Sequence, residues 1–251
     1  MYDGWVIIDQ IKQHIWLMLL FGALSMGSAT LWYVESIRVS EKSRLMSMPF
    51  LAVFGWLGHD WSYVMNFNQW FHHWNYWLFK LFWFGMIPLV IIEVIWITQI
   101  IRFGRKEFWP SISQRLWTIA IIAGAFGSTV LWFCLKRSMV DPLYLISMQI
   151  CCILYAAAQL TLTLRRKSRE GQSLVQVCAA ATAFGTWGIA SILFLGPFTH
   201  DWRWIGMNIV IFSWYCVGIS VLYKQPKYGA ESAQIVRHFE RERQPTHIEP
   251  Q

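Results

Sequence analysis

The chain has 251 residues, of which 56% are hydrophobic and 14% charged, with a net charge of +7 and a positive mean hydropathy. These proportions exclude an ordinary water-soluble domain. Apolar runs of about twenty residues recur, each long enough to cross a hydrocarbon core of roughly 30 Å, and a bilayer gives backbone polar groups no water to bond. The expected fold class is therefore all-α: a polytopic membrane protein with a bundle of seven transmembrane helices.

In chain order the spans are expected at 14–34, 46–66, 77–101, 116–135, 142–163, 174–196 and 203–223. Asp3 and Asp9 precede the first apolar run, and neither a basic leader nor a small-residue cleavage site is present, so the first span is expected to be permanent. All five cysteines fall inside expected helices without CxxC spacing, which reads as packing. Residues 1–223 form one expected transmembrane domain. Residues 224–251 turn polar and charged, a cytoplasmic tail with a short helix around 230–243.

Lys and Arg gather at alternate connections. Arg38, Lys42 and Arg44, then Arg102, Arg105, Lys106 and Arg115, then Arg165, Arg166, Lys167 and Arg169, and finally the tail, lie on one side, whereas Lys12, Lys136, Arg137 and Arg203 lie on the other. The positive-inside rule then puts the N-terminus outside and the C-terminus in the cytoplasm. The basic charge reports topology and lipid contact, with no nucleic-acid partner expected. Lys42-Ser43-Arg44 and Lys167-Ser168-Arg169 each follow one apolar helix and precede another, an echo consistent with a 3+1+3 parallel repeat or simply with two basic loops.

Intramembrane charges are costly and form a short list of functional candidates. Two acids qualify, Asp60 and Glu93, expected at different depths, about 9 Å below one surface and about 12 Å from the other. Helical spacing groups Asp60 with Trp56, Leu57, Tyr63 and Val64, and Glu93 with Leu89, Val90, Trp96 and Ile97. His59 is offset from Asp60 by about 100°, so an acid–imidazole dyad is not implied, and the plainer role for His59 is a buried imidazole bonded to a neighbouring helix. An acid kept from water among aromatic faces favours its proton-bearing form, and those faces attract a carbocation. Trp61, Trp70, Trp74 and Trp77 read as an interfacial aromatic belt, Lys80 as a snorkelling cation, and His72 and His73 as interfacial groups. No metal, nucleotide or other cofactor is expected: the histidines lack HxxxH or HExxH spacing, and Walker, GxGxxG and GxSxG elements are absent.

The stretches LWYVESIRVSEKSRLMSMPFLAVFGWLGHDWSYV (31–64) and RRKSREGQSLVQVCAAATAFGTWG (165–188) resemble the integral-membrane terpene cyclases of meroterpenoid and indole-diterpenoid biosynthesis. In that family a Met-Pro opens the second helix, and an acid some ten residues on is thought to protonate the epoxide or terminal alkene of a prenyl chain. Met48-Pro49 and Asp60 occupy those positions. The family pattern Asn-x-x-Trp-Glu is here Trp56-Leu57-Gly58-His59-Asp60, which keeps the carboxylate alone, and the family's second acid is missing from the last helix, FSWYCVGISVLY. The resemblance implies a cyclase acting on a hydrophobic prenylated substrate, with Asp60 as proton donor, Glu93 or a hydroxyl such as Tyr63 in place of the absent acid, and Trp56, Tyr63, Trp96 and His59 lining the substrate. The alternative is a small-solute transporter of PQ-loop or sugar-carrier type, supported by the repeat and by KSREGQS, but most of its prolines sit at helix ends and only Pro88 lies well inside a helix. A retinal-binding protein is excluded because the last helix has no lysine; Lys224 lies just beyond it.

Overall fold

The computed structural model describes residues 2–227, and these are helical with no strand. The tail helix expected around 230–243 lies outside the described residues. The chain runs through α1 (Gly4–Gln13), α2 (Ile15–Ser43), α3 (Phe50–Met65), a π-helical turn (Gln69–His73) and α4 (Trp77–Gln99). A second π-helical turn (Ile100–Gly104) joins α4 to α5 (Arg105–Phe108), and α6 (Gln114–Met139), α7 (Leu145–Arg166), α8 (Leu174–Phe194) and α9 (Trp202–Lys224) follow.

Six helical runs are long and apolar enough to cross a membrane: α2, α4 continued to Phe108, α6, α7, α8 and α9. The seventh expected span is α3, which has only 16 residues, about 24 Å of helix. Its chain enters through a buried loop, with Met46, Ser47 and Met48 each at most 2% exposed. The run from Trp77 to Phe108 is the opposite case, 32 residues, or about 48 Å.

Exposed apolar side chains cover the outside, including Leu20, Leu24 and Leu31 on α2 and Leu116, Phe126 and Leu131 on α6. A helix apolar on all faces is at home in lipid, where such a surface needs no protein partner. Packing joins α2 to α8 and α4, α3 to α4, α6 and α7, and α9 to both α7 and α8. Gly58 sets the α3–α6 approach: a Cβ there would lie 2.1 Å from the Trp132 ring and 3.0 Å from the Ser128 carbonyl.

The short α1 buries Ile7, Ile8 and Ile11 along one side, and the Asp3 carboxylate caps it by accepting the Trp5 N–H at 2.8 Å. It closes the amino-terminal end of the bundle over a second apolar cluster containing Tyr63, Trp70, Trp74 and Tyr144. Here the aromatic belt needs correction. Trp61 and Trp77 are exposed as expected, but Trp70 and Trp74 are buried beneath α1. The Trp70 indole donates to the Tyr63 carbonyl at 2.8 Å and its ring stacks on Tyr63 at 4.1 Å, the arrangement of an indole whose N–H has found an interior acceptor.

At the opposite end, Arg166 is clamped beneath the surface. It pairs with Glu107 at 2.7 Å and donates to the carbonyls of Met46 and Gly171, binding three connections together. All five cysteines are free thiols, two of them, Cys151 and Cys152, buried in the core.

Candidate functional site

The largest buried cluster has at its centre aromatic rings from six helices. Trp32 packs against Tyr155 (4.5 Å between centroids), Tyr33 (4.6 Å), Phe184 (5.3 Å) and Trp96 (5.8 Å), while Trp56 stacks on Phe184 at 5.8 Å and 16°. Phe184 in turn stacks on Tyr215. Trp96 spends its indole N–H on the Ser36 hydroxyl at 3.0 Å, so its ring is fixed as part of the wall.

Asp60 and Glu93 sit in this surround, 0% and 1% exposed. The structure brings together two acids that helix-end counting separates: the Glu93 carboxyl lies within hydrogen-bonding reach of the Asp60 carboxyl. The reason is the unequal lengths of their helices. Glu93 falls near the middle of the 32-residue run, whose start is carried outward by the connection after α3, and so reaches the depth of Asp60 on the short α3.

His59 also departs from expectation. Its Nδ1 lies 2.6 Å from Asp60 Oδ1, a direct contact between adjacent residues. The 100° offset separates Cβ directions and does not fix where side-chain tips end. With both groups buried, the carboxylate takes the nearest donor. The imidazole is held edge-to-face among Trp56, Trp132 and Tyr144, at 5.6–6.0 Å between centroids.

Several polar atoms here have no hydrogen-bond partner: Asp60 Oδ2, both Glu93 oxygens and His59 Nε2. Buried polar atoms are bonded in the large majority of cases. Two carboxyl groups in contact also repel strongly when both are ionised in a low dielectric, and among the described residues neither has an ion pair with Lys or Arg. The pair therefore lies beside acceptor atoms that no group among the described residues fills.

Of the residues singled out from the sequence, Asp60, Glu93, Trp56, Trp96 and His59 converge here. Tyr63 does not: it lies in the amino-terminal cluster, its hydroxyl directed to the Phe79 carbonyl at 3.5 Å. The sequence reading missed Trp32, Tyr33, Tyr155 and Phe184, which lie on α2, α7 and α8, away from the two helices that carry Asp60 and Glu93. Tyr33, with Cys151 and Cys152, lies within electrostatic reach of both Asp60 and Glu93 or of Asp60 alone.

Compared with family models, curated proteins and solved structures, the chain matches none.

Two clefts flank this centre. One, of about 290 Å³, is a largely apolar groove between α8 and α9, lined by Phe184, Gly185, Gly188, Asn208 and Phe212 among others. Phe184 separates it from Trp56. The other, of about 320 Å³, opens at the amino-terminal end beside Asn66, Gln69, Lys136 and Asp141.

Proposed function

We propose that the protein is a membrane-embedded terpene cyclase that starts carbocation cyclisation of a hydrophobic, prenylated substrate with a proton from the Asp60–Glu93 pair. One observation carries this reading: two buried carboxyl groups in contact, with unpartnered oxygens, inside an aromatic shell. The proton goes to an epoxide oxygen, whose C–O bond breaks to leave a cation on carbon, or to a terminal alkene carbon. Neighbouring alkene π electrons then close the rings, and the last cation loses a proton back to a carboxylate. The atoms of substrate and product are the same. Aromatic faces attract the cation without capturing it, and proton transfer by a positioned acid contributes typically 10²–10⁴-fold.

In this reading Glu93, from α4, takes the part of the second acid that the resemblance leaves missing from the last helix. The α8–α9 groove, floored by the ring stacked on Trp56, suits entry of a prenyl chain from the lipid. The alternating basic connections favour the N-terminus outside and the C-terminus in the cytoplasm.

A small-solute transporter is the second reading, and the packing favours it in one respect. Within the first triplet α4 touches both α2 and α3; within the second α9 touches both α7 and α8; and across them α2 meets α8 while α3 meets α7. The first helix of each triplet also ends on a non-glycine residue in the left-handed region, Arg44 (φ 57°) and Lys167 (φ 55°). This reciprocity is what a 3+1+3 parallel repeat around a central path requires.

Membranes containing the protein, incubated with epoxidised farnesyl and geranylgeranyl phenols, are expected to form cyclised isomers of unchanged mass. Absence of any isomer, together with saturable solute uptake by proteoliposomes, would overturn the cyclase in favour of the transporter.

A further inference from the structure

The cleft at the amino-terminal end is built around a cation turned away from water. Phe133, Lys136, Arg137 and Val140 follow one another at three- and four-residue steps along α6 and so share one face, and all line a cavity of about 320 Å³. Arg137 is exposed. The Lys136 Nζ, in contrast, is buried without a hydrogen-bond partner, 2.8 Å from the centre of the Tyr144 ring and 5.7 Å from that of Trp70. A lysine in the last turn of a helix ordinarily serves the open carbonyls there or snorkels to the interface. This ammonium does neither. Aromatic faces hold it, and its desolvated charge still lacks a hydrogen-bonded anion among the described residues.

The rest of the polar lining offers acceptors. Gln69 donates its amide to the Pro142 carbonyl, which can only accept. Asn66 donates to the Tyr144 hydroxyl at 2.5 Å, and that hydroxyl gives its own proton to the Ser62 carbonyl at 2.8 Å. Both amides are therefore fixed in orientation, and each has its oxygen left to offer a ligand. Asp141 adds a carboxylate held in place by Tyr2 and Ser147. A bare anion in this cavity meets that carboxylate and the amide oxygens, and a bare cation meets Lys136 and Arg137. A group carrying both charges suits each side.

Depth selects the carrier. Lys136 lies three residues before the end of α6 at Met139, about 4.5 Å, the level of the headgroups for a spanning helix. Phe133, one turn deeper, is an exposed ring. A phospholipid has the same order, with its phosphate above its chains. We propose that the cavity holds a lipid headgroup of the phosphoethanolamine type, its phosphate on Lys136 and Arg137, its primary ammonium among Asn66, Gln69 and Asp141, and an acyl chain along Phe133. A choline headgroup has no N–H to give those oxygens, and a glycerol headgroup has no cation. The site is independent of the chemistry at Asp60 and stands whether or not the protein cyclises prenyl chains.

The test is mass spectrometry of the intact full chain, stripped of lipid in detergent and then given phosphatidylethanolamine, phosphatidylcholine and phosphatidylglycerol of identical acyl chains in equal amounts. The phosphatidylethanolamine adduct is expected to exceed each of the others by about tenfold, the order of one charge-assisted hydrogen bond, and Lys136→Met to remove that preference. Arg137 is exposed, so Arg137→Gln should lower the preference without disturbing the fold, and it carries the test if Lys136→Met does not fold. Equal retention of the three lipids, a preference for phosphatidylcholine or phosphatidylglycerol, or an unchanged preference in folded Lys136→Met or in Arg137→Gln overturns the proposal. So does displacement of the lipid by millimolar inorganic phosphate, which would make the cavity a site for a soluble anion.

Discussion

Two aspartates are buried in this protein, and their surroundings are opposite. Asp141, 2% exposed, accepts the Tyr2 hydroxyl on one oxygen and both the N–H and hydroxyl of Ser147, each at 2.8 Å, on the other. Burial, and then the nearby Asp141 carboxylate, pushes the Tyr2 phenol far above its ordinary range, so it remains a donor. Asp60, 0% exposed, has one hydrogen-bonding neighbour in His59, a second acid beside it and an oxygen with no partner. A satisfied carboxylate ties α1 to the α6–α7 connection. One left incomplete is costly unless something outside the chain completes it, and under the proposed function that contrast separates a fastening from a working site.

The largest effect is expected where the incomplete site is altered without changing its shape. Glu93→Gln should lower formation of cyclised product by about 10²–10⁴-fold while leaving thermal unfolding close to wild type; chromatography of the products and a melting curve check both halves. On the fastened side, Arg166→Ala leaves the half-buried Glu107 carboxylate without its partner and frees the carbonyls of Met46 and Gly171. Losing a half-buried pair with its hydrogen bonds costs about 1–3 kcal/mol, and unfolding in detergent should show it. If Arg166→Ala melts like wild type, the contrast between fastened and working charges loses its basis.

Gly58→Ala should cost about 1–3 kcal/mol by overpacking, because the new methyl meets Trp132. It should also disturb His59, which rests on that ring. Quenching of tryptophan emission and a melting curve report the two effects. The smallest effect belongs to Asp201, which caps α9 and, half-buried itself, pairs with the exposed Arg203 at 2.7 Å. Its hydrogen bonds with Arg203 lower its carboxyl to about 2, so its stabilisation is present above the ordinary carboxylate range and fades as pH falls towards about 2. Solvent screening keeps it small. Asp201→Asn should lower the melting temperature slightly at neutral pH, with the difference from wild type vanishing as pH falls towards about 2.

The six long helices were legible because apolar windows of membrane length leave few alternatives, and the boundaries of α8 and α9 fall within two residues of expectation. The shortness of α3 was not, since Met46 to Pro49 are as apolar as the helix they precede and only their packing shows them to be loop. Asp60, Glu93, Trp56 and Trp96 stood out individually as rare charges and same-face aromatics. Their meeting depended on how far α4 extends past the bundle, a tertiary quantity that depth from a helix end does not contain. The His59 contact was hidden for a related reason: helical geometry gives Cβ directions, whereas the scarcity of donors in the interior decides where an imidazole turns.

The most direct measurement is product formation and unfolding of Asp60→Asn beside Asp141→Asn, in lipid, with an epoxidised prenyl substrate. Asp60→Asn should fold as well as wild type and yield almost no cyclised isomer. Asp141→Asn should unfold more easily yet cyclise normally in the fraction that is folded. Full turnover by Asp60→Asn, or loss of folding there with no loss at Asp141→Asn, would contradict the account.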